Sequence, residues 1–133
     1  MELKGRKIFG VAGQKVKGEA LVTTAGISFY GGVNPDTGIV VEKGHPIEGK
    51  SITGKVLVFP QGKGSTVGSY ALYRMRKNGK EPLAIINREC ETIVAVGAII
   101  SEIPCVDKVE IEKIKGGAMV EVDAEKGIVK LEG

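Results

Sequence analysis

The chain has few of the side chains that build metal centres. Its 133 residues include no tryptophan, two cysteines (Cys90 and Cys105) and one histidine, His45. The cysteines match no zinc-knuckle spacing, and a cubane iron–sulfur cluster requires about three or four thiolates. The sequence therefore excludes such a cluster held by this chain alone, and it predicts that both cysteines are reduced, buried and structural.

Long apolar runs and clustered charge are also missing. No apolar stretch approaches the roughly 18 residues of a membrane span, and the N-terminus has no signal-peptide pattern. The net charge of +3 comes from 19 basic and 16 acidic residues, which are interspersed as on a solvated surface. The sequence thus predicts a cytoplasmic protein that binds neither membrane nor nucleic acid.

Aromatic residues are scarce, at 5%, whereas glycine occurs 20 times. This composition favours short strands, tight turns and an aliphatic core. Apolar patterns predict strands at 19–24, 55–59 and 83–86, a helix from Val67 that ends at Asn78-Gly79, a second helix at 91–100, a short sheet segment at Cys105-Val106, and a hairpin of 119–122 with 128–131. Residues 1–133 are therefore interpreted as a single α/β domain with one parallel β-α-β unit.

Residues 25–54 are rich in glycine and turn formers, which predicts a long loop. A connection of this length is uncommon in a compact domain unless it has a role or contains a short strand, for which 39–41 is the candidate. Within it, Phe29-Tyr30-Gly31-Gly32 combines aromatic side chains with flexible backbone. We expect these aromatics to be exposed and to form an interaction surface or to close over a site.

The strongest candidate site is Gly62-Lys63-Gly64-Ser65-Thr66, between the strand at 55–59 and the first helix. Glycines let the backbone approach a ligand closely, and the N-terminus of a helix attracts an anion. The residue order differs from that of a Walker A loop and of a nucleophile elbow. A serine–histidine triad would have a single histidine to recruit. The alternative is structural, with Ser65 or Thr66 capping the helix and the glycines forming a turn.

A series of short segments extends this motif along the chain. They are 18–22, 27–33, 36–38, 45–46, 49–51, 54–60, 62–66, 68–69, 82–86 and 97–100. In this order and spacing they resemble the small-subunit or swivel domain of the aconitase X family. Because they cover most of residues 18–106, the resemblance is much more specific than any single motif. It implies a single swivelling β/β/α domain, in agreement with the predicted order of elements.

The resemblance also implies a role for the glycine-rich loop. In this family the swivel domain carries a serine that acts as the catalytic base, which corresponds to Ser65, and we expect Gly64 and Thr66 to contact substrate. It implies a [4Fe-4S] cluster bound by a large catalytic subunit, with no metal on this chain. For a separate small subunit it implies dehydration of (R)-5-phosphomevalonate to trans-anhydromevalonate 5-phosphate, within an archaeal mevalonate pathway.

One departure from the wider family bears on the substrate. Classical aconitases follow this serine with a second serine and an arginine that binds a carboxylate, whereas this chain has Thr66 and Val67. The missing arginine argues against citrate or isocitrate. Dehydration of cis-3-hydroxyproline remains an alternative, although the short chain favours phosphomevalonate. Two other classes remain open: a phosphocarrier swivel domain, which needs a histidine in its glycine-rich loop, and a non-catalytic binding module in which Ser65 is part of a turn.

Overall fold

The computed structural model describes residues 1–63 and 67–132. Within them the strands are β1 (Glu2–Lys4), β2 (Arg6–Phe9), β3 (Val16–Val22), β4 (Val56–Phe59), β5 (Ala84–Asn87), β6 (Cys105–Asp107), β7 (Met119–Asp123) and β8 (Ile128–Leu131). The helices are α1 (Phe29–Gly32), α2 (Gly68–Lys77) and α3 (Thr92–Ser101), with a 3-10 turn at Ile111–Lys113. No helix in this described part of the chain is long and apolar enough to cross a membrane.

The strands form one curled sheet in the order β1-β8-β7-β3-β4-β5-β6-β2. Its two outermost strands, β1 and β2, are separated in the chain only by Gly5, so the two edges of the sheet must meet there. The Gly5 N–H donates to the carbonyl oxygen of Gly127 at 2.7 Å, which ties this junction to the β7–β8 turn. Neighbours in the run β3-β4-β5-β6 pair in parallel, and the remaining neighbours are antiparallel.

A hydrophobic core covers each face of the sheet. Val58 and Ile86 point into the inner core, enclosed by the curl of the sheet. Phe59 and Leu72 belong to the outer core, where α2 and α3 pack on the sheet. Strands β4 and β5 are buried along their whole length. Their uninterrupted apolar sequences follow from this, because both faces of each strand are covered.

The predicted central elements are present, with small shifts at their ends. α2 ends at the predicted place, with Asn78 as C-cap and Gly79 at a φ of +70°, a conformation that glycine adopts without strain. The segment containing Cys105 pairs in parallel with β5. The domain therefore has two successive parallel units, β4-α2-β5 and β5-α3-β6, where the sequence predicted one.

Two local features differ from the sequence-based interpretation. The candidate strand at 39–41 is absent, and only isolated bridges join Val40 to Val33 and Ile39 to Ser51. Strands β1 and β2 were not predicted, since they are short and charged and form through pairing with distant parts of the chain.

Candidate functional site

The glycine-rich loop connects the carboxyl end of β4 to the start of α2. Gly64, Ser65 and Thr66, the predicted site residues, lie outside the described residues. Their neighbours Lys63 and Val67 are described, so the site can be characterised through the two segments that flank it. This end of the parallel strands is also where open α/β sheets bind ligands.

The segment before the loop is held by Ile27. The Ile27 N–H donates to the carbonyl oxygen of Gln61 at 3.3 Å, and the Lys63 N–H donates to the carbonyl oxygen of Ile27 at 3.0 Å. These two bonds flank Gly62 and form a parallel bridge between the segments. Ile27 is itself buried in the outer core. The backbone leading to Ser65 is therefore fixed up to Lys63.

His45 supports this bridge from a third segment. Its Nε2 lies 2.9 Å from the carbonyl oxygen of Gly26, and its Nδ1 accepts the N–H of Ile47 at 3.2 Å. Because Nδ1 accepts a hydrogen bond, the ring proton of the neutral imidazole lies on Nε2 and points to Gly26. The ring is buried, with 7% of its surface exposed. His45 is therefore a buried residue that connects two segments beside the candidate site through its hydrogen bonds.

A second contact joins the same segments at the surface. Lys63 Nζ lies 2.8 Å from Oε2 of Glu42, and both side chains are partly exposed. Exposed ion pairs of this kind contribute about 0.2–1 kcal/mol. The pair thus adds little stability, but it directs the Lys63 side chain toward Glu42, in the segment that also carries His45.

The segment after the loop is the N-terminus of α2, beside α3. The first turn of α2 contains no acidic residue, and its last turn carries Arg74, Arg76 and Lys77. The positive end of the helix dipole is therefore not neutralised by a carboxylate of its own first turn. A Cβ on Gly62 would lie 2.5 Å from Cγ2 of Val94 in α3. The loop thus enters the site in close contact with α3, at a position where a side chain does not fit.

A groove of about 650 Å³ opens beside Val67. Its walls include Tyr30, Tyr70 and Arg74, and both tyrosines are more than half exposed. Phe29, expected to be exposed, is buried and packs edge-on against Phe59 with the ring centroids 5.8 Å apart. Of the two aromatic residues in this segment, Tyr30 is therefore exposed to solvent and Phe29 packs in the core.

The two cysteines form a pair in the outer core. Cys90 is half-buried and Cys105 fully buried. A hydrogen bond from the Cys105 thiol lowers the pKa of Cys90, and the same bond together with burial raises the pKa of Cys105 well above the usual cysteine value. Both cysteines are free thiols, and the burial that the sequence predicted for both is found for Cys105 and not for Cys90. Among residues 1–63 and 67–132, no group of three or more His, Cys, Asp or Glu side chains could hold a metal ion.

Comparisons with known proteins agree along the whole chain. The sequence model of the aconitase X swivel domain matches residues 2–131. The phosphomevalonate dehydratase small subunit of Thermococcus kodakarensis is 56% identical over 131 residues, covering 98% of this chain and 96% of that protein. The protein of the same name from Methanosarcina acetivorans is 56% identical, covering 98% and 91%. The crystal structure of Thermococcus kodakaraensis aconitase X in its holo form has a TM-score of 0.96 and 55% identity, covering 100% and 99%.

Proposed function

Because the chain belongs to the aconitase X swivel domain family, we propose that it is the small subunit of a phosphomevalonate dehydratase. This hydro-lyase is active only when the chain is joined to a large catalytic subunit. The observation that carries the proposal is the 56% identity to the small subunit of Thermococcus kodakarensis, which extends over 98% of this chain and 96% of that one. The holo-form aconitase X structure adds a matching fold over the same length.

The proposed reaction removes water from (R)-5-phosphomevalonate and gives trans-anhydromevalonate 5-phosphate. Ser65, as the alkoxide, takes the proton from the carbon next to the carboxylate, and a carbon–carbon double bond forms as the bond to the hydroxyl breaks. The leaving hydroxyl takes up a proton from solvent and departs as water, and Ser65 then returns its proton to solvent. A serine hydroxyl is a weak base in water, so its alkoxide needs hydrogen-bond donors and positive charge nearby. The start of α2 at Gly68, with no acidic residue in its first turn, supports this assignment, because a helix N-terminus favours an anion.

The residues of this chain do not fit an iron–sulfur cluster. Cys90 and Cys105 are its only cysteines, Cys105 is fully buried, and the described residues contain no group able to hold a metal. The family relationship implies an iron–sulfur enzyme, so we assign the [4Fe-4S] cluster to the large subunit. In the proposed complex, this chain contributes Ser65 as the base and Gly64 and Thr66 as substrate contacts.

The test combines this chain with its large subunit under anaerobic conditions and measures dehydration of (R)-5-phosphomevalonate. Ser65→Ala is compared with wild type and with Ser51→Ala, which removes an exposed hydroxyl that bonds only locally to the Thr53 N–H at 3.2 Å. Iron content and complex formation are measured for every sample. We expect Ser65→Ala to form the complex and lose nearly all turnover, and Ser51→Ala to match wild type.

Two results would contradict the proposal in different ways. A loaded wild-type complex that leaves phosphomevalonate unchanged but dehydrates cis-3-hydroxyproline would overturn the substrate assignment and keep the reaction class. A Ser65→Ala complex as active as wild type would overturn the role of the serine and favour the structural interpretation of the loop as a helix cap.

A further inference from the structure

We propose that His45 is a positioning residue for the dehydratase reaction, acting through Gly26 and Ile27 on the backbone that leads to Ser65. The proposal rests on the proposed function, because it assigns His45 to the geometry of the same base. His45 lies in the glycine-rich region between β3 and β4, and no short-range sequence pattern connects it with the loop at 62–66.

A chain of hydrogen bonds connects His45 with the start of the loop. Nε2 of His45 donates to the carbonyl oxygen of Gly26 at 2.9 Å. The next residue, Ile27, donates to Gln61 at 3.3 Å and accepts from the Lys63 N–H at 3.0 Å. The ring is therefore connected through one residue to both ends of the segment 61–63. No other histidine exists in the sequence to replace it.

The segments that contain Gly26 and Gln61 are in close contact. A Cβ on Gly26 would lie 3.0 Å from the carbonyl oxygen of Gln61, so a side chain at position 26 would press on the Gln61 backbone. Ile27 is 2% exposed and packs in the outer core. A displacement of Gly26 is therefore expected to reach residues 61–63, because the adjoining Ile27 is packed in the core and hydrogen-bonded to both Gln61 and Lys63.

His45 is itself held by hydrogen bonds within its turn. Its N–H donates to the carbonyl oxygen of Glu42 at 3.3 Å, and its carbonyl oxygen accepts the Glu48 N–H at 3.0 Å. Its Nδ1 accepts the Ile47 N–H at 3.2 Å. The turn around His45 thus orients the ring so that Nε2 alone reaches across to Gly26. Nδ1 therefore stabilises the turn that contains His45, and Nε2 contacts the segment beside the proposed catalytic loop.

This division allows the two functions of the ring to be separated by two substitutions. In His45→Asn the side-chain oxygen can take the place of Nδ1 and accept the Ile47 N–H, but the side chain is too short to reach Gly26. In His45→Gln the amide nitrogen reaches the position of Nε2 and can donate to Gly26, but the Nδ1 acceptor is lost. His45→Asn therefore tests the positioning contact, and His45→Gln tests the turn.

The experiment measures kcat and KM for (R)-5-phosphomevalonate with each variant in complex with the large subunit. Small misplacements of a reacting group reduce turnover by about 10- to 100-fold. We expect His45→Asn to lose kcat in this range with little change in KM or in affinity for the large subunit, and His45→Gln to keep most of the wild-type kcat. Amide hydrogen exchange on the full-length small subunit should be faster at Lys63 in His45→Asn than in His45→Gln.

A merely structural role gives a different result. If both variants lose the same fraction of kcat in proportion to their loss of melting temperature, or if both keep full kcat, His45 does not position the loop. Absence of turnover in the wild-type complex counts against the proposed function instead. In that case the exchange rate at Lys63 still decides whether His45 fixes residues 61–63, and equal rates in the two variants overturn the inference.

Discussion

Asp107 is fully buried, yet it shares two hydrogen bonds with the exposed guanidinium of Arg6. Arg6 Nε donates to Oδ1 at 3.0 Å and Nη2 donates to Oδ2 at 2.8 Å. The same Oδ2 accepts the N–H of Cys90 at 2.8 Å. One carboxylate thus joins β2, β6 and the loop that leads to α3. The pairing also raises the pKa of the Arg6 guanidinium, chiefly through the hydrogen bond to Asp107.

Loss of the Asp107 carboxylate should destabilise the fold. In Asp107→Ala the Cys90 N–H loses its acceptor and β2 loses its side-chain link to β6. We expect the free energy of unfolding to fall by about 2–4 kcal/mol, measured by urea denaturation. The control is Glu125→Ala, which removes a partly exposed ion pair with Lys7 and should cost less than about 1 kcal/mol. If the free energy of unfolding falls equally in the two variants, the burial of Asp107 does not make its ion pair more stabilising than an exposed one.

The contact between α2 and α3 depends on Gly97. A Cβ at this position would lie 2.6 Å from Cδ1 of Leu72 and 3.2 Å from Cα of Ser69, and Leu72 is fully buried. We expect Gly97→Ala to lower the free energy of unfolding by about 1–2 kcal/mol, because overpacking outweighs the higher helix propensity of alanine. A reduced melting temperature would confirm this.

A matched glycine shows whether the effect comes from packing. A Cβ on Gly116 would have the Cβ of Val22 at 3.9 Å as its nearest neighbour. Gly116→Ala should therefore leave the melting temperature unchanged or raise it slightly, since it reduces the freedom of the unfolded chain. A fall as large as that of Gly97→Ala would contradict the packing argument.

The sequence predicted the centre of the domain better than its edges. The apolar run of β4 and the helical spacing of Ala71 and Met75 on α2 are local patterns, and the structure confirms both elements. β1 and β2 have no such pattern. They form because β8 and β6 supply their hydrogen-bond partners. Pairing between residues so far apart in the chain produces no local sequence pattern from which these strands could be predicted.

The residues that hold the flanks of the candidate site could not be predicted from the sequence, for the same reason. The motif at 62–66 could be found because its glycines and serine are consecutive. Glu42 and His45 meet the loop's flanks only through tertiary folding, so the sequence showed a lone histidine without its partner. The Gly44-His45-Pro46 turn was the only local signal that this histidine is held in place. Gly64, Ser65 and Thr66, as site residues, remain predictions.

The cysteine pair predicts selective thiol chemistry. The pKa of Cys90 is lowered mainly by the hydrogen bond from Cys105, so more thiolate is present at neutral pH than for an ordinary cysteine, and thiolate is the reactive form. We expect iodoacetamide to modify Cys90 first in the folded chain, with a pH midpoint below that of the urea-unfolded chain. Mass spectrometry identifies the modified residue.

Substitution of Cys105 tests the cause of this reactivity. Cys105→Ala removes the hydrogen-bond donor, which should raise the pKa of Cys90 and slow its alkylation at neutral pH. Cys105→Ser keeps a donor of similar size and should leave the rate closer to wild type. Faster alkylation in Cys105→Ala would show that access, and not the hydrogen bond, controls the reaction.

Gly62 should matter for activity if Ser65 is the base, because it brings the start of the glycine-rich loop against α3. A Cβ here would lie 2.5 Å from Cγ2 of Val94, which is 1% exposed and packed in the outer core. Gly62→Ala should therefore displace the backbone before Ser65 and reduce kcat of the assembled dehydratase about tenfold or more. Gly97→Ala is the control, since it creates a similar clash within the helix layer. Equal kcat values for both variants, measured well below their melting temperatures, would show that this contact does not position the base.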